Sequence, residues 1–307
     1  MTTSETGQSQ TDRLIGIGLV NLATLSWASN MTLGRWLRAD MGPVTLSAGR
    51  FLIASSILAA MLLRMPVNER RLGQDRWLLL GMALSGVALF TPTLYLGLRH
   101  TTAVNATLIN GMGPLLTGIL AALLIGERMT RRQIVGAAAG ALGVGVLISG
   151  GRVRFWQAMD GGIGDLIVLG AVVLWALYSV LSRRAMRDRS ALSASAFSAL
   201  LGLPLLVLGS IWETQASAFA FTPQLILPLL FIGTVPGVLG LLSWNGGVRR
   251  LGAGGAMIYY NTLPLYGALL GRVFLGEALG LNHLLGGGLI VLGGLWAAGG
   301  AWDPAID

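Results

Sequence analysis

Residues 97–114 read GLRHTTAVNATLINGMGP, and residues 247–264 read GVRRLGAGGAMIYYNTLP. Laid over one another at a shift of 150, they share Gly97/Gly247, Arg99/Arg249, Ala103/Ala253, Ala106/Ala256 and Pro114/Pro264. The same shift runs on without a gap, and eleven of the fifty positions from 101 to 150 are identical to their partners. Among them are the pair Gly126-Glu127/Gly276-Glu277, then Gly136/Gly286 and Gly143/Gly293. Upstream, Trp27 falls near Trp175 at a shift of 148. Chance readily matches glycine and alanine in helices of this composition. It less readily matches a proline and a glycine–glutamate pair at one fixed shift. The chain reads as an internal repeat.

Composition says which solvent the repeat is built for. Of 307 residues, 54% are hydrophobic and 11% charged, with a mean hydropathy of +0.71. Soluble domains carry about 25% charged residues, so a water-facing surface of this size could not be coated. Lipid-facing positions, by contrast, must be apolar. All 21 basic residues are arginine, which excludes a Walker-type phosphate loop and a lysine Schiff base. The arginines lie in short clusters between apolar runs, a topology signal, and not a nucleic-acid surface. With no cysteine there is neither a disulfide framework nor thiol chemistry. Two histidines far apart in the chain offer no metal-ligand set and no nucleophile–base pair. No cofactor, metal or enzymatic activity is expected.

A spanning helix needs about 20 apolar residues. Ten stretches qualify: 14–34, 44–63, 77–98, 102–125, 133–150, 164–182, 192–212, 224–245, 252–275 and 282–301. The expectation is an all-α polytopic membrane protein of ten transmembrane helices. Residues 1–12 form a cytoplasmic tail, 13–155 a first five-helix repeat and 160–302 a second. With the N-terminus inside, fourteen arginines fall on the cytoplasmic side and seven outside, which places both termini in the cytoplasm. Five spans is an odd number, so the two repeats are inverted. The charges follow: Arg128, Arg131 and Arg132 join spans 4 and 5, while the equivalent stretch Ala278 to His283 has no arginine. Inverted repeats with a midplane site are a usual construction of secondary transporters.

Each half resembles an EamA domain of the drug/metabolite transporter superfamily. The resemblance rests on Leu98 to Ala103 leading to Pro114, then Gly126-Glu127-Arg128 and the glycine-rich helix from Gly136. The echo runs from Arg249 to Ala253, through Pro264, to Gly276-Glu277 and Gly286. It implies ten helices and transport of small metabolites. Trp244-Asn245 and Tyr260 to Pro264 are similar to YddG-type aromatic amino-acid exporters, a narrower match on short motifs.

Trp36, Trp77, Trp156 and Trp302 read as interface anchors. Trp27, Tyr95, Trp175, Tyr178, Trp244, Tyr259 and Tyr260 lie inside spans, where a buried N–H or O–H needs a partner. Helix packing accounts for any one of them; together they suggest an aromatic-lined cavity. Asn30, Asn110, Asn245 and Asn261 sharpen this, since an unpaired amide in hydrocarbon is costly. Asn110 and Asn261 lie just ahead of Pro114 and Pro264, whose missing N–H leaves a carbonyl for a ligand's ammonium group or simply kinks the helix.

No carboxylate is expected mid-span. Glu127 and Glu277 lie at helix ends and read as structural, each pairing with an arginine or capping a neighbour. Arg50 and Arg272 are expected near the outer ends of their helices, either joining Glu277 in a pair or triad that gates or holds that end, or snorkelling. The glycines of spans 5 and 10 mark packing helices, within the molecule or across a homodimer. Small neutral or aromatic amino acids are the expected substrates, moved by facilitated alternating access. A proton-coupled multidrug or metabolite exporter is the alternative.

Overall fold

The computed structural model describes residues 10–125, 130–148, 159–216 and 222–298. Described residues form helices and short turns, with no strand among them. In chain order the helices are α1 (Gln10–Trp36), α2 (Pro43–Leu62), α3 (Arg76–Met82), α4 (Phe90–His100), α5 (Ala103–Asn110), α6 (Gly113–Ile125) and α7 (Arg131–Ile148). They continue with α8 (Met159–Ala185), α9 (Ala191–Ala216), α10 (Ile226–Thr234), α11 (Gly240–Tyr260), α12 (Leu263–Leu275) and α13 (Leu281–Ala298). A π-helical turn, Ala83–Leu89, joins α3 to α4, and another, Val235–Leu239, joins α10 to α11.

Seven of the resulting segments are long and apolar enough to cross a bilayer, and three shorter apolar helices accompany them. Their outer faces carry side chains that water would reject. Leu52, Leu123, Leu208, Leu227, Phe274, Leu284 and Leu292 are all exposed, which suits a hydrocarbon solvent. Trp36 and Trp77 are exposed as well, while Trp156 and Trp302 lie outside the described residues.

The proline motifs break two of the expected spans. The stretch read as 102–125 is two helices, α5 and α6, with Gly111 and Met112 between them, and Pro114 is the second residue of α6. Pro264 likewise is the second residue of α12, after the turn at Asn261-Thr262. First-turn N–H groups have no helical partner in any case, so both prolines restart a helix without losing a bond. The two breaks touch: a Cβ on Gly111 would lie 3.3 Å from Pro264 Cγ.

A second departure concerns the expected link at 246–251, which falls inside α11. That helix is not straight. Sixteen residues of straight helix span about 24 Å, yet the rings of Trp244 and Tyr260 are 5.6 Å apart. The chain therefore turns back between them.

Packing pairs α1 with α11 and α12, α2 with α9, α4 with α8, and α7 with α13. The last contact is backbone on backbone. A Cβ on Gly143 would meet Gly286 O at 2.5 Å, one on Gly286 would meet Gly143 O at 2.7 Å, and one on Gly293 would meet Gly136 O at 2.8 Å. These glycines therefore face each other within one chain, where only hydrogen fits.

Carboxylates cap helices across the molecule. Glu213, near the end of α9, accepts from Val44 N, Thr45 N and Thr45 Oγ1 at the start of α2. Glu69 accepts from Ser190 N and Oγ at the start of α9. Glu277 accepts from Ala103 N and Val104 N, both at 2.9 Å, satisfying orphan donors of α5 and meeting its positive dipole end. Gly276 makes this geometry: at φ 66° it turns the chain left-handed after α12, where glycine carries no Cβ penalty.

Candidate substrate cavity

Six aromatic rings from four helices meet at the centre. Trp27 of α1 lies 5.7 Å from Trp244, 6.1 Å from Tyr260 (both α11) and 6.3 Å from Trp175 of α8. Trp175 stacks on Tyr178 at 4.9 Å, and Phe90 of α4 closes against Trp175 at 5.1 Å. The π-helical turns make room for the cluster, as such bulges commonly do at functional sites. A Cβ on Gly86 would strike the Tyr178 ring at 2.2 Å, and Pro236 O in the other turn accepts the Trp27 Nε1 proton at 3.3 Å.

Five of them, all but Phe90, bound a cavity of about 200 Å³. Besides Trp27, Trp175, Tyr178, Trp244 and Tyr260, it is lined by Gly113, Pro114 and Thr117 of α6, Ser179 and Ser182 of α8, Ser195 of α9, and Leu241 and Asn245 of α11. It runs to Met186 and Ala191, where α8 gives way to α9, and Met186 is 41% exposed. Arg189, beside that mouth, holds Asp75 at 2.6 Å. Toward the opposite end of the bundle, Leu37, Leu46, Leu94 and Leu98 belong to one fully buried apolar cluster. A smaller cavity of about 50 Å³ adjoins the first on that side, sharing Trp27, Trp175 and Tyr260 and adding Asn30, Arg50 and Asn110.

Nine of the thirteen expected cavity residues come together here. Trp27, Pro114, Trp175, Tyr178, Trp244, Asn245 and Tyr260 line the larger space, and Asn30 and Asn110 the smaller. Four do not. Tyr95 is fully buried one layer out and donates to Asn30 Oδ1 at 2.7 Å, so it positions a cavity residue from behind. Tyr259 is half-buried and lines neither space. Asn261 faces Gly294 of α13, and Pro264 packs on Gly111. For Tyr259 and Asn261 helical phase decides: a neighbour one residue along from Tyr260 points about 100° away.

Arg50 departs most from expectation. It lies about 10 Å along α2, not at its rim; it is 9% exposed and faces the cavities. It makes no pair with Glu277, which instead caps α5 and lies 4.0 Å from Arg35. Arg272 is exposed in the last turn of α12, and Glu127 lies outside the described residues.

One carboxylate lies in the second turn of α8, near the end of that span and not mid-span. Asp165 of α8, 2% exposed, sits inside an apolar segment. It accepts from Thr101 Oγ1 and, at 3.0 Å, from Asn105 Nδ2, tying α8 to the joint of α4 and α5. Sequence reading also passed over Ser179 and Ser182. With Trp175, Tyr178 and Met186 they make an i, i+3, i+4, i+7, i+11 stripe, a helical face legible in the sequence alone.

This is an all-helical, multi-pass membrane protein with a polar–aromatic cavity at its centre. The model of the EamA-like transporter family matches it twice, at residues 14–149 and 162–298, and the chain belongs to that family. Among relatives, the uncharacterized transporter YyaM of Bacillus subtilis (strain 168) is 27% identical over 281 residues, covering 91% of this chain and 90% of its own. A probable terminal-alkyne amino-acid exporter of Streptantibioticus cattleyicolor is 26% identical over 276 residues, covering 87% and 88%. One solved crystal structure of a protein shares the fold with a TM-score of 0.61 at 24% identity, covering 95% of this chain and 99% of that one.

Proposed function

We propose that the protein is a facilitative exporter of small neutral and aromatic amino acids and related metabolites, working by alternating access. In this reading ten helices form two inverted five-helix halves, 13–155 and 160–302, in the cell (inner) membrane with both termini cytoplasmic. The single observation that carries the substrate class is the five-ring cavity of about 200 Å³, apolar enough for a side chain and hydroxyl- and amide-lined at its edges. Cavities of this kind bury an apolar body and orient it with few polar groups. The amino-acid exporter among the relatives lends support.

Pairwise contacts favour inverted halves. Gly143 meets Gly286, and Gly293 meets Gly136, so positions equivalent at a shift of 150 exchange places across α7 and α13. Such reciprocity marks a two-fold relationship. Glu69 capping α9 and Glu213 capping α2 repeat the exchange at opposite ends of the bundle. With the arginine-rich links inside, the cavity mouth at Met186 faces the cytoplasm, and the conformation is the one that loads a substrate for export.

The test is uptake into proteoliposomes of labelled tryptophan, phenylalanine, methionine and threonine, with and without a pH gradient. Saturable uptake that stops at equilibrium and ignores the gradient supports the proposal. Accumulation above equilibrium driven by the gradient replaces facilitation with proton coupling. No movement of any amino acid by folded protein rejects the amino-acid reading in favour of a multidrug or other metabolite exporter.

A further inference from the structure

Arg50 is a guanidinium buried within a membrane protein, with no counter-ion among the described residues. Its Nε makes no hydrogen bond, and no carboxylate among the described residues lies within 4.0 Å of it. Its neighbours are the Phe51 ring, 5.3 Å away, and the Tyr95 hydroxyl, neither of which carries a full negative charge. Three carboxylates that could have reached inward are committed elsewhere: Glu213 to α2, Glu277 to α5, and Asp165 to Thr101 and Asn105. Arginine cannot shed its proton to escape the cost, and unpaired charge within a bilayer is retained for function.

A second orphan lies across the same small cavity. Asn110 Oδ1 accepts from the Tyr260 hydroxyl at 2.9 Å, but its Nδ2 is buried with no partner. Both unsatisfied atoms are donors, and both residues line the space of about 50 Å³ that opens on the aromatic cavity. A buried donor left unmade costs free energy that an incoming acceptor restores. A guanidinium fork suits a planar, two-oxygen anion above all.

We propose that Arg50 and Asn110 form the anion-recognition subsite of the cavity, and that the substrate is an aromatic or large apolar carboxylate. Its carboxylate enters the small cavity while its apolar body rests among Trp27, Trp175, Trp244 and Tyr260. The inference rests on reading this cavity as the substrate site. It adds that the negative group, and not the ammonium group, is required for recognition.

Three probes of one shape separate the charges: phenylalanine, 3-phenylpropionate, which lacks the amine, and phenethylamine, which lacks the carboxylate. Binding to the purified protein is followed by quenching of tryptophan fluorescence and by the thermal shift. Phenylalanine and 3-phenylpropionate are expected to bind, with phenethylamine weaker by at least about tenfold, the scale of a lost charge-assisted hydrogen bond. Arg50→Gln, checked for folding by circular dichroism and gel filtration, is expected to lose that preference, and Arg50→Lys to keep part of it.

The wild-type comparison decides even if the variants fail to fold. Equal binding of the amine, or unchanged binding of phenylalanine by folded Arg50→Gln, overturns the subsite. If amino acids are transported but the amine binds as well as they do, the transport reading stands and the subsite falls. If 3-phenylpropionate binds through Arg50 while no amino acid is moved, the subsite stands and the amino-acid reading falls. Binding of none of the three overturns the subsite and leaves the transport reading to the uptake test.

Discussion

Tyr260 donates its hydroxyl to Asn110 Oδ1 at 2.9 Å, and the two residues are 150 positions apart, the shift at which the chain aligns with itself. Each ends a helix just ahead of a proline, Pro114 or Pro264. The bond thus joins the two helix breaks at the floor of the aromatic cavity, between the halves that alternating access would move.

Tyr260→Phe leaves Asn110 with a buried, unanswered oxygen, and is expected to lower stability by about 1–3 kcal/mol. Asn110→Leu should cost less than this when Tyr260→Phe is already present. A double-mutant cycle on thermal unfolding in detergent measures the coupling, expected at about 0.5–1.5 kcal/mol, the range of interhelical hydrogen bonds in membranes. Additive single effects would mean that the bond is not formed.

The glycine contact of α7 and α13 separates close approach from mere helix composition. Gly143→Ala puts a methyl group 2.5 Å from Gly286 O and is expected to cost about 1–3 kcal/mol through overpacking. Gly145→Ala, two residues along the same helix, meets nothing within 4 Å. It should be neutral or gain about 0.5–1 kcal/mol from helix propensity. Melting temperatures of the two variants check the contrast.

Glu277→Ala removes the acceptor for two N–H groups at the start of α5 and is expected to destabilise by about 1–2 kcal/mol. Glu277→Gln keeps a weaker acceptor and should lose less. The Arg35 pair adds little at 4.0 Å, so Arg35→Gln should fall well short of Glu277→Ala in the same unfolding assay.

The absence of cysteine from the chain makes single-cysteine labelling free of background. Ser182→Cys, on the cavity wall, is expected to react with a membrane-impermeant thiol reagent applied from the cytoplasmic side and to be protected by substrate. Ser47→Cys, at a fully buried position of α2, should resist in the same state. Reaction of Ser182→Cys only from the outer side would reverse the proposed orientation.

Much of the site was legible because its residues are chemically out of place in hydrocarbon. Trp27, Trp175 and Trp244 stand out in apolar spans away from their interfaces, and their neighbours Asn30 and Asn245 need partners or water. The expected residues that lie outside the cavity share a different origin. Tyr259 and Asn261 flank Tyr260 in sequence, but helical phase turns them out of the cavity. Asp165 shows no partner in the sequence; Thr101 and Asn105, at the joint of α4 and α5, supply it only in the fold.

The sequence by itself determined the solvent and the class: too little charge for water, long apolar runs for lipid, arginines gathered in the links, and a repeat at one fixed shift. These are sums and periodicities, which survive without knowing what touches what. Tertiary structure alone decided where the charges end up. Arg50 and Arg272 are alike on paper, yet one faces the centre of the bundle and the other the surface. Glu277 passes over Arg50 to cap α5. Which partner a polar side chain finds depends on helices more than a hundred residues away, and no local pattern encodes that meeting.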